Sequence, residues 1–298
     1  MILPDLILET RINQNWDFSG MDSADKCLNK KHFLDYPHTV NYQYNSRGFR
    51  DSEWPESIED LQNAIWCIGD SFTVGLGSPY EFTWHQILSK ATGRRCINIS
   101  MDGASNEWIS RRACQIIQNV KPTHMVVLWS YAHRREHPNN DWPDEKRLIH
   151  APKDSSHYED LKNFIDCYTK LNSCAVAAGT NVFNATIPNA AYFRVVAGFA
   201  HITRSWNNIK DSTWGDPPRN REEFDLLPDH IKIDVCVHAP DIPNELDQCG
   251  FWFKFDQHNH FLRLEHLDYA RDYHHFDKLT SEFFVQEICK NTTALTVE

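Results

Sequence analysis

Long runs of charge of one sign are absent from this chain of 298 residues, whose formal net charge is −11. The densest basic cluster is the pair Arg134 and Arg135, which Glu136 follows directly. Proteins that bind nucleic acid normally carry a basic patch or stripe. We therefore expect no nucleic-acid partner.

Segments suited to a membrane are also absent from the sequence. The longest uncharged stretch, residues 171–193, is interrupted by Asn, Ser, Thr and Gly and would not partition into a bilayer. Near the N-terminus, Asp5 and Glu9 break up the apolar residues, and no basic segment precedes them, so no signal peptide is predicted. We expect a cytoplasmic or otherwise soluble protein with no membrane partner.

Paired metal-ligand or disulfide spacings are missing as well. The nine cysteines include no CxxC pair, and an odd, scattered set favours a reducing compartment over a disulfide framework. Five histidines near the C-terminus could in principle bind a metal, but their spacing matches no common ligand motif. They are His258, His260, His266, His274 and His275. We therefore predict neither a metal nor another cofactor.

What the sequence does contain, from residue 64 onward, is alternation of short apolar runs with helical patterns. Strands are predicted at 65–68, 96–99, 125–129 and about 181–187, and helices at 81–92, 105–119, about 158–178 and about 279–289. This order is typical of an α/β fold, a three-layer α/β/α sandwich with a parallel sheet covered on both faces. We expect residues 1–60 to form an extension that packs on the core domain of residues 61–298.

An insertion is predicted at about 190–260, because this region is long, aromatic and rich in Pro and Asp. Within it, apolar Ile231, Ile233, Val235 and Val237 alternate with polar residues, which predicts one half-exposed strand. Aromatic residues of the insertion could stack on sugar rings or simply form core. They are Trp206, Trp214, Trp252 and Tyr192.

Glycine is scarce, and five of the 11 glycines fall between residues 69 and 103. Clustered glycine after a buried strand marks a tight turn or a close approach to a ligand. Ser71 lies just past the first predicted strand, where open α/β sheets place their active sites. An exposed Ser71 hydroxyl could act as a nucleophile, with local N–H groups facing an oxyanion, or it could simply cap a helix. Asp70 beside it reads mainly as a turn or helix-cap residue.

Three blocks of sequence resemble the SGNH (GDSL-type) hydrolase superfamily. Residues 69–75 (GDSFTVG) resemble its first block, 98–106 (NISMDGASN) its second and 270–277 (ARDYHHFD) its last. The resemblance implies a Ser71–His275–Asp272 triad, with Ser71 and Gly103 in the oxyanion hole. Residues 45–50 (NSRGFR) are similar to a segment that often precedes the nucleophile strand in this superfamily.

The third block departs from the superfamily pattern of Gly-x-Asn-Asp. The strand that ends at Trp129 is followed by residues 130–136 (SYAHRRE), and the position of the oxyanion Asn falls on Ala132. Ser130, Tyr131 or His133 could replace the missing donor, and the sequence does not choose among them.

Two functions remain open at this point. The first is a serine hydrolase, without cofactor, that cleaves a small acyl ester, including O-acetyl groups on carbohydrates; an acyltransferase would use the same acyl-enzyme. The second is an SGNH-like module with weak or no catalysis that serves as a binding or structural part of a larger assembly. The missing Asn and the polar N-terminal segment favour the second, and the intact Ser, Gly, Asp and His favour the first.

Overall fold

The structure is a computed structural model that describes residues 6–139, 141–150, 157–188, 206, 217–218, 221–238, 242–243 and 262–292. The strands, in chain order, are β1 (Asn15–Trp16), β2 (Tyr42–Gln43), β3 (Ile65–Ile68), β4 (Cys96–Asn98), β5 (His124–Trp129), β6 (Arg134–Glu136), β7 (Leu148–His150), β8 (Asn181–Thr186) and β9 (Leu262–Arg263). The α-helices are α1 (Lys30–Asp35), α2 (Ile58–Asn63), α3 (Ser71–Val74), α4 (Trp84–Thr92), α5 (Asn106–Asn119), α6 (His157–Ala178), α7 (Arg221–Asp225), α8 (Asp229–His238) and α9 (Lys278–Asn291). Short 3₁₀ helices lie at Glu9–Arg11, Tyr80–Phe82 and Asp144–Lys146.

Five strands form the central sheet in the order β4-β3-β5-β8-β9, and every neighbouring pair is parallel. All residues of β3, β4 and β5 are buried, as expected for apolar strands with helices on both faces. The predicted strands and the helices of the core are present, within a few residues at their ends. One difference is that the helix predicted at 81–92 is split at Thr83, where the backbone is extended.

The two faces of the sheet carry different helices. Val126 of β5 lies opposite Phe183 of β8, so both side chains point to the same face of the sheet. On that face the Phe183 ring packs against Phe284 of α9, with 6.3 Å between the ring centres. Side chains alternate along a strand, so Trp129, three residues after Val126, points to the other face. There its ring meets Phe164 of α6 at 5.4 Å. The predicted three-layer α/β/α sandwich is confirmed.

The predicted strand at residues 231–237 is wrong, because these residues belong to α8. Ile231 and Val235 are four residues apart, which is one turn of helix as well as two strand repeats. Only Val235 is fully buried, while Ile233 and Val237 are 65% and 68% exposed. The alternation therefore marked no buried strand face. Most of the predicted insertion at about 190–260 lies outside the described residues.

The N-terminal segment is packed into the main core and against residues 74–78, at the end of α3 and in the loop after it. Leu6, Leu8 and Phe49 are buried in the same hydrophobic core as the residues of β3 and β5. Arg50 is fully buried and donates to the carbonyl oxygens of Asn41 (2.9 Å), Val74 (3.2 Å) and Ser78 (2.9 Å). A single arginine thus ties this segment to the loop that follows Ser71.

Among the helices in the described residues, none combines the length and the apolar character that a bilayer crossing requires.

Candidate active site

Ser71 is the first residue of α3, and Gly69 and Asp70 lie between it and the end of β3. Asp70 is the N-cap of this short helix, and its Oδ1 accepts a hydrogen bond from the Phe72 N–H at 3.1 Å. The predicted cap role of Asp70 is confirmed. In contrast to the sequence expectation of an exposed hydroxyl, Ser71 is buried, with only 3% of its surface accessible.

The structure brings Ser71, His275 and Asp272 together across 204 positions of sequence. The Oγ of Ser71 lies 2.8 Å from Nε2 of His275, and Nδ1 of His275 lies 2.5 Å from Oδ2 of Asp272. An ionised carboxylate can only accept, so Nδ1 carries the proton. Nε2 is then free to accept the proton of the Ser71 hydroxyl.

The pairing of His275 with Asp272 shifts the pKa of both groups. Burial by itself would lower the pKa of His275, but the Asp272 carboxylate outweighs it and raises that pKa above the ordinary value. Burial would likewise raise the pKa of Asp272, yet His275 and two backbone N–H groups hold it below the ordinary value. Those N–H groups, of His274 and His275, each donate to Oδ1 of Asp272 at 3.0 Å.

The loop that carries Asp272 and His275 is held against the loop that follows α3. The Arg271 N–H donates to the Gly77 carbonyl at 3.0 Å. Gly77 has φ +76°, and a Cβ there would lie 2.8 Å from the Ala270 Cβ, so this contact requires glycine. The N-terminal segment braces the same loop, because the Leu28 N–H donates to the Asp272 carbonyl at 3.0 Å.

Gly103 lies in the loop after β4. This loop contacts the end of β3, because the Met101 N–H donates to the Gly69 carbonyl at 3.3 Å. Its φ is +75°, and a Cβ there would collide with Leu148 Cδ2 at 2.5 Å. Within the described residues, the N–H groups of Ser71 and Gly103 make no hydrogen bond. These two backbone donors therefore remain available to a ligand.

The candidates for a third donor have different surroundings. Ser130 is fully buried, and its hydroxyl donates to Oδ2 of Asp70 at 2.6 Å, so its one proton is already used. Ala132 is fully buried, and His133 is partly buried with its ring 5.5 Å from the Tyr131 ring. The residue that sequence reasoning missed is Arg134, whose Nη1 lies 2.9 Å from both Ser130 Oγ and Asp70 Oδ2.

The remaining sequence candidates are placed as follows. His274 and His266 lie beside His275, but no group of three or more potential metal ligands occurs in the part of the chain that the structure describes. His258 and His260 lie outside it, as do Trp214, Trp252 and Tyr192. Trp206 is buried, so the stacking role considered for it is wrong.

Comparison with known proteins finds matches to this chain among solved structures alone. No family model matches it, and no curated protein does. Similar solved structures include a GDSL-like lipase from Bacteroides ovatus, with 13% identity over 83% of this chain and 56% of the lipase, at a TM-score of 0.38. A family two carbohydrate esterase from Clostridium thermocellum, in complex with cellohexaose, shares 14% identity over 81% of this chain and 67% of the esterase, at a TM-score of 0.38.

The esterase EstA from Pseudoalteromonas is a third similar structure, with 16% identity over 64% of this chain and 99% of the esterase, at a TM-score of 0.29. The chain spans little more than half of the Bacteroides ovatus lipase. These structures belong to the group of GDSL-like lipases and esterases that the sequence blocks resemble.

Proposed function

We propose that this protein cleaves acyl esters, with Ser71 as nucleophile, His275 as general base and Asp272 as its orienting carboxylate. The observation that carries the proposal is the unbroken chain of contacts from Asp272 through His275 to Ser71, at 2.5 and 2.8 Å. A serine hydroxyl needs a base within this reach to become a nucleophile near neutral pH. All three side chains are buried, so the contacts are formed away from bulk water.

In the first half of the reaction, Ser71 Oγ bonds to the ester carbonyl carbon and passes its proton to Nε2 of His275. The carbonyl electron pair moves to the oxygen, and the N–H groups of Ser71 and Gly103 stabilise that oxyanion. When the oxyanion collapses, the bond to the alcohol oxygen breaks and the departing alcohol takes the proton from His275. Asp272 stabilises the imidazolium throughout, which agrees with the raised pKa of His275.

The second half repeats these steps with water in place of the alcohol. His275 takes a proton from the water, the water oxygen attacks the acyl carbon, and Ser71 leaves as a hydroxyl with the proton returned. A second alcohol in place of water would make the protein an acyltransferase. Hydrolysis is the reaction that we propose, because it needs no further substrate.

For the substrate we propose a short acyl ester of a carbohydrate, and an exposed aromatic surface beside the triad supports this. Tyr269 and Tyr273 are both 39% exposed, and their rings stack at 4.6 Å. Tyr273 lies between Asp272 and His274 in the chain and has φ +59°, an uncommon backbone conformation for a bulky residue. The Tyr269 ring also stacks on His266, with 4.6 Å between ring centres, so Tyr269 offers a sugar its ring edge rather than an open face.

Tyr269→Ala should raise KM for an acetylated sugar about two- to tenfold, since an aromatic contact is worth about 0.5–1.5 kcal/mol. The KM for an acetyl ester of a small aliphatic alcohol should not change. Tyr269→Phe is the matched control, because it keeps the ring and removes only the hydroxyl. An equal rise of KM for both esters would exclude a role of this surface in binding the sugar.

The alternative is a module without catalysis, favoured by the absence of the third-block Asn. A fluorophosphonate probe separates the two, because it forms a stable adduct only with an activated serine. We expect one adduct per chain, mapped by mass spectrometry to the peptide that contains Ser71. A folded protein that forms no such adduct, at probe concentrations that label a known serine esterase completely, would leave the non-catalytic module as the better account.

A further inference from the structure

The guanidinium of Arg134 lies between the two loops that supply the backbone donors. Its Nη1 donates to Oδ2 of Asp70 at 2.9 Å, and Asp70 directly precedes Ser71. The same Nη1 is 3.5 Å from the carbonyl oxygen of Ala104, which directly follows Gly103. Arg134 therefore contacts Asp70 and Ala104, the sequence neighbours of the two residues whose N–H groups we propose as oxyanion donors.

The orientation of Arg134 is fixed by its surroundings. Its charge is paired with Asp70, whose side chain is fully buried, and Nη1 also contacts the Ser130 hydroxyl at 2.9 Å. The guanidinium carbon lies 4.8 Å from the centre of the Tyr131 ring. Contacts at one edge and one face of the guanidinium restrict its rotation. The remaining donors, Nε–H and Nη2–H, are therefore held in position for a ligand.

The other edge of the guanidinium has no partner among the described residues. Nε of Arg134 is buried without a hydrogen bond, and Nη2 makes none there either, while 13% of the side chain stays exposed. Nε–H and Nη2–H form the planar fork that binds oxygen atoms well. An unpaired, partly buried donor costs free energy in the unliganded protein, so it points to a ligand that supplies the acceptor.

The positive charge of Arg134 also acts on His274. Burial is the main reason that the pKa of His274 falls to about 4, and the charge of Arg134 contributes to this fall. Ser130 cannot donate to the oxyanion in this arrangement, because its hydroxyl already donates its hydrogen bond to Asp70. Its observed contacts instead make it a part of the anchor for Arg134.

We propose that Arg134 is a catalytic residue that donates to the oxyanion of the acyl ester, in place of the amide missing at Ala132. This inference rests on the proposed function. When Ser71 Oγ bonds to the carbonyl carbon and its proton moves to His275, the carbonyl oxygen gains a negative charge. Arg134 stabilises that charge together with the N–H groups of Ser71 and Gly103, and it transfers no proton.

The test compares Arg134→Met with the wild type on a short acetyl ester. Loss of one oxyanion donor lowers kcat about a hundredfold to a thousandfold. KM should change less than about threefold, because the contact strengthens only when the charge develops. Affinity for an alkyl boronic acid, which forms a tetrahedral adduct on the serine, should fall by a factor similar to kcat. A change in KM alone would overturn the proposal and make Arg134 a residue that binds the substrate.

Arg134→Met leaves the Asp70 carboxylate buried without its cationic partner, and this change alone is expected to lower the stability of the folded protein. The double variant Asp70→Asn with Arg134→Met removes both charges. We expect its melting temperature to recover towards the wild type while kcat stays as low as in Arg134→Met. Recovery of kcat in the double variant would overturn the direct role, since Arg134 would then matter only through Asp70.

Arg135→Met is the matched control. Arg135 is the next residue, its side chain is 16% exposed, and it also pairs with a buried carboxylate, that of Asp160 at 2.6 Å. The kcat of Arg135→Met should stay within about threefold of the wild-type kcat. A wild-type protein that forms no Ser71 adduct would overturn the proposed function and this inference with it. A wild type that forms the adduct, beside an unimpaired Arg134→Met variant, would overturn this inference alone.

Discussion

Ser71→Ala should lower kcat for ester hydrolysis at least about ten-thousandfold, because removing the nucleophile abolishes the acyl-enzyme route. It should also abolish labelling by a fluorophosphonate. The fold should survive, since the change removes one hydroxyl and its hydrogen bond to His275, worth about 1 kcal/mol. We therefore expect a melting temperature within a few degrees of the wild type. Stopped-flow hydrolysis of a chromogenic acetyl ester and differential scanning calorimetry would measure both effects.

Ser110→Ala is the matched control for this change. Ser110 is as buried as Ser71, and its hydroxyl likewise makes one hydrogen bond, to the carbonyl oxygen of Cys167 at 2.9 Å. The melting temperature of Ser110→Ala should fall by an amount similar to that of Ser71→Ala, while its kcat should match that of the wild type. Hydrolysis by pure Ser71→Ala at the wild-type rate would show that the reaction takes place elsewhere in the molecule.

The resemblance of short sequence blocks to the SGNH superfamily was enough to predict that Ser71, Asp272 and His275 are neighbours, although folding had to join residues 71 and 275. The reason is local: a serine after a buried strand needs a turn and a helix start, and an Asp three residues before a His can reach its ring within one loop. The structure has these local arrangements, in α3 with its Asp70 cap and in the backbone contacts of Asp272. The alternation of strands and helices predicted the parallel sheet for a similar reason, because apolar periodicity depends on burial.

Arg134 could not be predicted in the same way. An arginine followed by another arginine and a glutamate is typical of a solvated surface, and only the structure shows the carboxylate of Asp70 beneath it. The pairing joins residues 64 positions apart, and no local pattern encodes it. The wrong strand at 231–237 has a different origin: Ile231 and Val235 fit both a helix and a strand, and burial on one helix face decided the outcome.

His275→Ala should lower kcat at least about a thousandfold, as removal of a triad base does. His274→Ala should lower kcat less than about tenfold, although the two residues are adjacent. The His274 ring contacts the rings of Phe72 and His275, at 5.5 and 4.7 Å between ring centres. Among the described residues, His275 is the histidine that contacts the Ser71 hydroxyl. Steady-state hydrolysis by the two variants, each with a measured melting temperature, would compare them. The reverse order of effects would assign the base to His274.

The pH profile separates the two histidines by an independent route. Only a neutral imidazole can accept the Ser71 proton, so activity is lost as the base becomes protonated. The pKa of His275 is raised above its usual value of about 6.5, so kcat/KM should rise with pH through a midpoint above that value. The pKa of His274 is about 4, so His274 is already neutral over this range and cannot cause such a rise. His274→Ala should therefore keep the wild-type midpoint, and a midpoint near 4 in the wild type would contradict His275 as the base.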